Sequence, residues 1–247
     1  MTRTFYFGLW HRLACLFVVG AMLTAGNAAA QQGGGHSPYP VGLPVGAVGQ
    51  GTLLQPLPMR GYFQPIRFNL PEGTSLALAE NGTFVPPQKA PMQVGLLVGH
   101  VYRFQITEIP YNSGLELYPT IEIINRLYPP PGKENEFPVE VEITLEDMEL
   151  ALSGRLVTRV IYLEDPLSAL PTQGEEHIIL SRELEPTQNP LIAAKQYGRP
   201  MAILRMGNRQ PTPEEIGPDF LFGSPSWQAV PQPQPIIEAQ SETRIVR

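Results

Sequence analysis

The sequence predicts a mainly β, sandwich-like domain, mostly antiparallel, with two short helices and extended Pro/Gly/Gln-rich ends. Three observations lead there. The chain has 28 prolines in 247 residues, well above the usual share of about 5%, and they concentrate at the ends and at element boundaries, which excludes a helical bundle. Several segments alternate apolar and polar residues with the period of two that a half-buried strand requires. Helical signals are too few to alternate with the strands, so about seven short strands in an antiparallel arrangement fit better than an α/β fold.

Residues 1–30 read as a cleavable secretory signal. Arg3 and Arg12 give a positive start without acids, residues 13–23 are apolar, and Ala28 and Ala30 supply the small side chains of a cleavage site before Gln31. The apolar run falls short of the roughly 20 residues that span a bilayer. Cys15 invites comparison with a lipid-attachment box, but the apolar run follows this cysteine instead of ending at it. Removal of the signal takes with it two of the 17 basic residues and none of the 23 acids, leaving a formal charge of −8 on the mature chain. It also takes the single cysteine, so no disulfide or thiol chemistry is expected after export. Dispersed acidity argues against a nucleic-acid or anionic-lipid surface.

Residues 31–65 form a Gly/Pro/Gln-rich leader with too few large apolar residues to fold alone, and an extended, disordered leader is expected. The globular body is expected over residues 66–208. Within it, residues 74–80 alternate weakly and Asn81-Gly82 signals a tight turn. Asn81-Gly82-Thr83 also fits a glycosylation sequon, although beside a turn the asparagine serves its backbone preference. Residues 94–98 are a short apolar run, and 100–107 alternate cleanly, with Tyr102, Phe104 and Ile106 on one side and Val101, Arg103, Gln105 and Thr107 on the other.

After a turn at 109–114, residues 115–124 alternate again. Leu115, Leu117, Pro119, Ile121 and Ile123 share one side; Glu116, Tyr118, Thr120 and Glu122 share the other. Pro119 cannot donate a ladder bond, which predicts a sheet edge or a bulge there. Val139, Val141 and Ile143 alternate with Glu140 and Glu142 in a further strand. Thr144 caps a short helix that ends at Gly154, with Glu146 and Asp147 in its first turn. Strands are expected at 155–163, 176–180 and 200–206, and a second helix at 191–197 behind Asn189-Pro190.

Residues 209–247 form a Pro/Gln-rich tail carrying an apolar island, Phe220, Leu221, Phe222 and Trp227. Such an island either folds back to cover a sheet edge or a crevice of its own body or docks a partner. No motif demands an enzyme. Metal-ligand spacings, nucleophile elbows and phosphate loops are missing, and Glu175-Glu176-His177 is too short a match to carry a metal site. No catalytic residue, cofactor or metal is therefore predicted. Glu116 and Glu122, with Glu140 and Glu142, would line one sheet face if their strands paired, as a calcium site or a glycosidase pair requires. A face of glutamates opposite an apolar one is also what any one-sided sheet turns to water.

Residues 99–124 (GHVYRFQITEIPYNSGLELYPTIEII) and 197–211 (YGRPMAILRMGNRQP) resemble uncharacterised exported β-rich proteins of planctomycete-type bacteria, the likeness extending over residues 94–211. That resemblance implies a periplasmic or cell-envelope setting and carries no catalytic motif. The leading expectation is an exported, non-enzymatic envelope protein whose partner is an envelope polysaccharide or protein. No transmembrane helix is expected in the mature chain. The alternative is a carbohydrate-binding sandwich, with Tyr102, Tyr111, Tyr118, Tyr128 and Trp227 as ligand-facing rings. A carboxylate-based hydrolase ranks third.

Overall fold

A computed structural model describes residues 44–54, 59–167, 183–185 and 188–230. The expected export signal at residues 1–30, residues 31–43 of the expected leader, the strand expected at 176–180, Glu175-Glu176-His177 and the tail beyond residue 230 lie outside the described residues.

Two sheets pack face to face as a β-sandwich. The smaller holds β1 (Phe63–Asn69), β5 (Met92–Leu97), β8 (Val139–Glu142) and β11 (Trp227–Ala229), in the order β11-β5-β1-β8. The larger runs β3-β2-β6-β7-β10-β9, with β4 also pairing β2. Its strands are β2 (Ser75–Glu80), β3 (Thr83–Phe84), β4 (Gln88–Lys89), β6 (Val101–Thr107), β7 (Thr120–Ile123), β9 (Val157–Glu164) and β10 (Gly198–Met206). All these pairings are antiparallel except β1 with β8, which is parallel.

Alternation places the core. Tyr102, Phe104 and Ile106 of β6 point inward with Ile121 and Ile123 of β7, and meet Ile66, Phe68, Val94, Leu96 and Val141 of the smaller sheet. The Phe68 and Phe104 rings touch across the sandwich, centroids 5.1 Å apart and tilted by 51°, a geometry that adds to their area burial. Asn81 and Gly82 both take positive φ, 51° and 81°, in the β2–β3 turn. A left-handed pair there is what a two-residue hairpin needs.

Two helices stand where the caps predict them. In α2 (Leu145–Leu152), Thr144 Oγ1 accepts from the Asp147 N–H at 3.2 Å while Asp147 Oδ2 accepts from the Thr144 N–H at 3.1 Å, a reciprocal capping box. Asp147 Oδ1 also receives Arg159 Nη2 at 2.7 Å, joining the helix to β9. In α3 (Pro190–Tyr197), Asn189 Oδ1 accepts from the N–H groups of Leu191 and Ile192.

Four expectations are corrected. Residues 47–53 of the supposed extended leader form a helix, α1 (Ala47–Leu53), and β1 begins within the leader at Phe63. The pairing of Tyr102 with Ile121 keeps its register past Pro119 to Ile106 with Leu117. Pro119 therefore marks neither a bulge nor an edge: β7 lies between β6 and β10, and the Pro119 carbonyl still accepts from the Phe104 N–H at 3.1 Å. Only one ladder bond is forfeited. Leu115 stays outside the core, 47% exposed, because the ladder starts at Leu117. Finally, the Tyr118–Thr120–Glu122 side of β7 is buried instead of wet.

Gly198, at the start of β10, runs hard against β9. A Cβ there would lie 2.0 Å from the Leu163 carbonyl oxygen and 2.9 Å from Glu164 Cα. Backbone atoms cannot swing aside as a side-chain tip can. Gly198→Ala is expected to destabilise by about 1–3 kcal/mol, as overpacking does, read as a lowered denaturant midpoint with an unchanged slope.

Candidate functional site

The outer face of the larger sheet gathers the polar groups. Register sets Arg103 opposite Thr120 and Thr120 opposite Arg205, so three neighbouring strands present one row; Val101, Glu122 and Ile203 form the next. Directly opposed residues share a face. Much of this face is covered, because the helix at residues 47–53 and the segment at residues 216–222 fold back over it.

At one end sits α1. Glu122, 0% exposed, accepts from the Gly49 N–H at 2.7 Å through Oε1 and from Arg205 Nη1 at 3.0 Å through Oε2. Gly49 lies so close to the β5–β6 turn that a Cβ would stand 3.2 Å from the Gly99 backbone and from the Ile123 carbonyl oxygen. A side chain at this position would require the helix or the turn to give by a few tenths of an ångström.

At the other end sits the apolar island. Phe220 and Leu221 are buried with Ala79 and Tyr118, and Phe84 and Ile216 pack against them. Rings of Tyr118 and Phe220 meet edge-on at 5.8 Å, and Phe84 lies 5.8 Å from Tyr118 on another side. The Tyr118 hydroxyl donates to Glu116 Oε2, which also accepts from Gln105 Nε2 at 2.9 Å. Burial first, then the Glu116 hydrogen bond and charge, push the Tyr118 phenol up to about 12.

A phenol pKa raised by folding stabilises the native state fully below the unfolded value of about 10. That contribution is lost as pH rises through the folded value, because the unfolded chain releases its proton first. Replacing Tyr118 by Phe is thus expected to flatten the loss of stability between the unfolded value and about 12. Urea midpoints at stepped alkaline pH check it; parallel curves for both proteins would discard the assignment.

Arg103 lies between these ends. Its Nη1 donates to the Tyr118 carbonyl at 3.1 Å, and its guanidinium stands 4.0 Å from the centroid of Phe220 and 5.2 Å from that of Phe222. Arg209 shares the Phe220 ring at 5.6 Å and pairs with Glu215 at 3.4 Å. Burial, and secondarily the charge of Arg209, bring the Arg103 guanidinium down to about 10, so it stays cationic at neutral pH.

The rings expected to face a ligand do not assemble into a platform. Tyr102 is buried in the core, its hydroxyl accepting from the Leu97 N–H and donating to the Ser226 carbonyl, both at 2.8 Å. Tyr118 is buried under the island. Tyr111 is 91% exposed at a loop tip with φ 60°, beside an open cavity of about 490 Å³ lined by residues of its own loop, among them Glu108, Ser113 and Glu116. Tyr128, 54% exposed, lies on another loop, where the Arg126 guanidinium stands 4.6 Å from its ring and 3.5 Å from that of Tyr62.

Of the island, Phe220 and Leu221 are buried, Phe222 is partly exposed, and Trp227 opens β11 against β5. The four glutamates do not share a face: Glu122 belongs to the larger sheet and Glu116 precedes it, whereas Glu140 and Glu142 belong to β8 of the smaller. Glu140 instead binds Arg67 Nη1 at 3.0 Å and Asn69 Nδ2 at 2.9 Å. Among the described residues no group of three or more His, Cys, Asp or Glu side chains could hold a metal ion, and no helix is long and apolar enough to cross a membrane. Compared with family models, curated proteins and solved structures, the chain matches no family, no protein and no structure.

Sequence reasoning named the island and the alternation of β6 and β7. It missed the Arg103 box and the Glu122 seat, since both depend on which segments fold back over the sheet.

Tyr102 offers a direct check on how the tail is held. Tyr102→Phe removes both hydroxyl bonds linking β5 to the chain entering β11, at an expected cost of about 1–3 kcal/mol. Faster amide exchange in β11 and a red-shifted Trp227 emission should accompany it. Unchanged exchange would show that the ladder with β5 suffices alone.

Proposed function

We propose that this chain is an exported, envelope-associated interaction protein that acts without catalysis, its sandwich serving to hold two low-complexity ends and present them to an envelope polysaccharide or protein. One observation carries the reading: the described parts of the leader and of the tail are each seated on the body by a polar contact of their own, buried at Glu122 and half-buried at Tyr102. Glu122 grips the leader helix at the Gly49 N–H, and Tyr102 grips the tail at the Ser226 carbonyl. Ends that merely trailed from a self-sufficient domain would not need such seats. The export signal at residues 1–30 and the likeness to planctomycete-type exported proteins support the setting.

Co-sedimentation of residues 31–247 with isolated envelope material tests it, alongside a form ending at residue 230 that keeps β11. Sedimentation of the longer form that falls several-fold in the shorter one is the expected result. Both forms remaining in the supernatant, or a turnover activity abolished by one carboxylate substitution, would overturn the reading.

A further inference from the structure

Arg103 is a cation with most of its hydrogen-bonding capacity unused among the described residues. A guanidinium carries five N–H groups and no acceptor. Nη1 is taken by the Tyr118 carbonyl, whereas Nε is buried and meets no acceptor among the described residues. Arg103 forms no ion pair among the described residues, although Arg67, Arg159, Arg205 and Arg209 each do. The side left over is the Nε–Nη2 edge, where two parallel N–H groups match the two oxygens of a carboxylate or phosphate.

The surroundings hold that edge in place. Phe220 fixes the plane of the guanidinium at 4.0 Å, a contact that favours the charged form. Arg209 adds a second positive charge beside the same ring, in a chain whose formal net charge is −6. Phe222 lies over the guanidinium from a turn in which three successive residues take left-handed φ, Phe222 at 52°, Gly223 at 72° and Ser224 at 45°. Non-glycine residues seldom adopt that region, and such strain persists only where neighbours enforce it. The Gly82 N–H donates to Ser224 Oγ at 3.3 Å and ties the turn to the β2–β3 hairpin. Phe222 is half-buried over the guanidinium.

We propose that Arg103, boxed by Phe220 and Phe222 and reinforced by Arg209, is a receptor for one oxyanion, the carboxylate or phosphate group of a ligand, bound side-on across Nε and Nη2. The site stands independently of where the chain acts. Bound anion completes the unused donors and offsets the repulsion between the two arginines.

The test follows the arginine Nε–H resonances of the ¹⁵N-labelled protein, residues 31–247, during titration with sodium phosphate or sodium acetate against sodium chloride at matched ionic strength. The Arg103 resonance, identified by its loss in R103K, should shift and saturate with phosphate or acetate and not with chloride. Saturation by phosphate alone identifies a phosphate ligand, by acetate alone a carboxylate one. R209Q should weaken the binding several-fold, while K133Q, on the distant loop, should leave it unchanged. The same drift in all three salts, or an R209Q curve superimposable on that of the unaltered protein, overturns the proposal. Should R103K fail to fold, through-bond correlation from the backbone assigns the Arg103 Nε–H resonance in the unaltered protein, and the same titration is read there.

Discussion

Glu122→Ala should unseat the leader helix and cost about 3–5 kcal/mol, the loss typical of removing one partner from a buried ion pair. The substitution strands two donors at once. Arg205 would keep its charge in a poorly hydrated position, and the Gly49 N–H would face an apolar methyl group. Glu122→Gln retains the volume and one acceptor and should cost less, about 1–3 kcal/mol. Denaturant midpoints give the energies, and protease cleavage within residues 44–54 reports the helix. A loss below about 1 kcal/mol with the helix still protected would show that Gly49 packing, not the carboxylate, seats α1.

Phe104→Ala is expected to have a comparable effect for a different reason. Phe104 is 0% exposed and meets Phe68 across the sandwich. Its truncation leaves a cavity between sheets whose strands are held by their own ladders, so collapse around it is limited and a cost of about 3–5 kcal/mol follows. Because the contact joins the two layers, cooperativity should suffer as well as stability. Calorimetry checks both: a lowered midpoint is expected, and an unaltered Tm would refute the packing argument.

How much of this was legible in the sequence varies with the range of the interaction. The β6 alternation at residues 101–107, the Asn81-Gly82 turn and the caps at Thr144 and Asn189 are local signals, and each stands in the structure as read. Helix α1 left no such signal. It contains Gly49 and Gly51, which lower helix propensity, and it forms against the sheet because Gly49 permits close approach. Alternation in β7 identified two sides correctly but not what lies over them, so Glu122 read as a solvated residue. Nor does alternation say which sheet a strand joins. Glu122 and Glu140 look equivalent along the chain, yet β7 and β8 lie in opposite layers. Pro119 misled because its missing N–H removes one bond without breaking the register. The island residues could be named in advance; that their rings would box Arg103 could not.

The position of β11 at the margin of the smaller sheet bears on the order in which the chain can mature. β5 lies between β1 and a strand only three residues long, drawn from positions 227–229. Until those residues arrive, one flank of β5 presents free N–H and C=O groups, the template on which strands of separate molecules join. In a chain that emerges N-terminus first, that flank is sealed after the other ladders among the described residues. A product stopped short of Trp227 is therefore expected to associate with copies of itself, since residues 227–229 are what cover that flank.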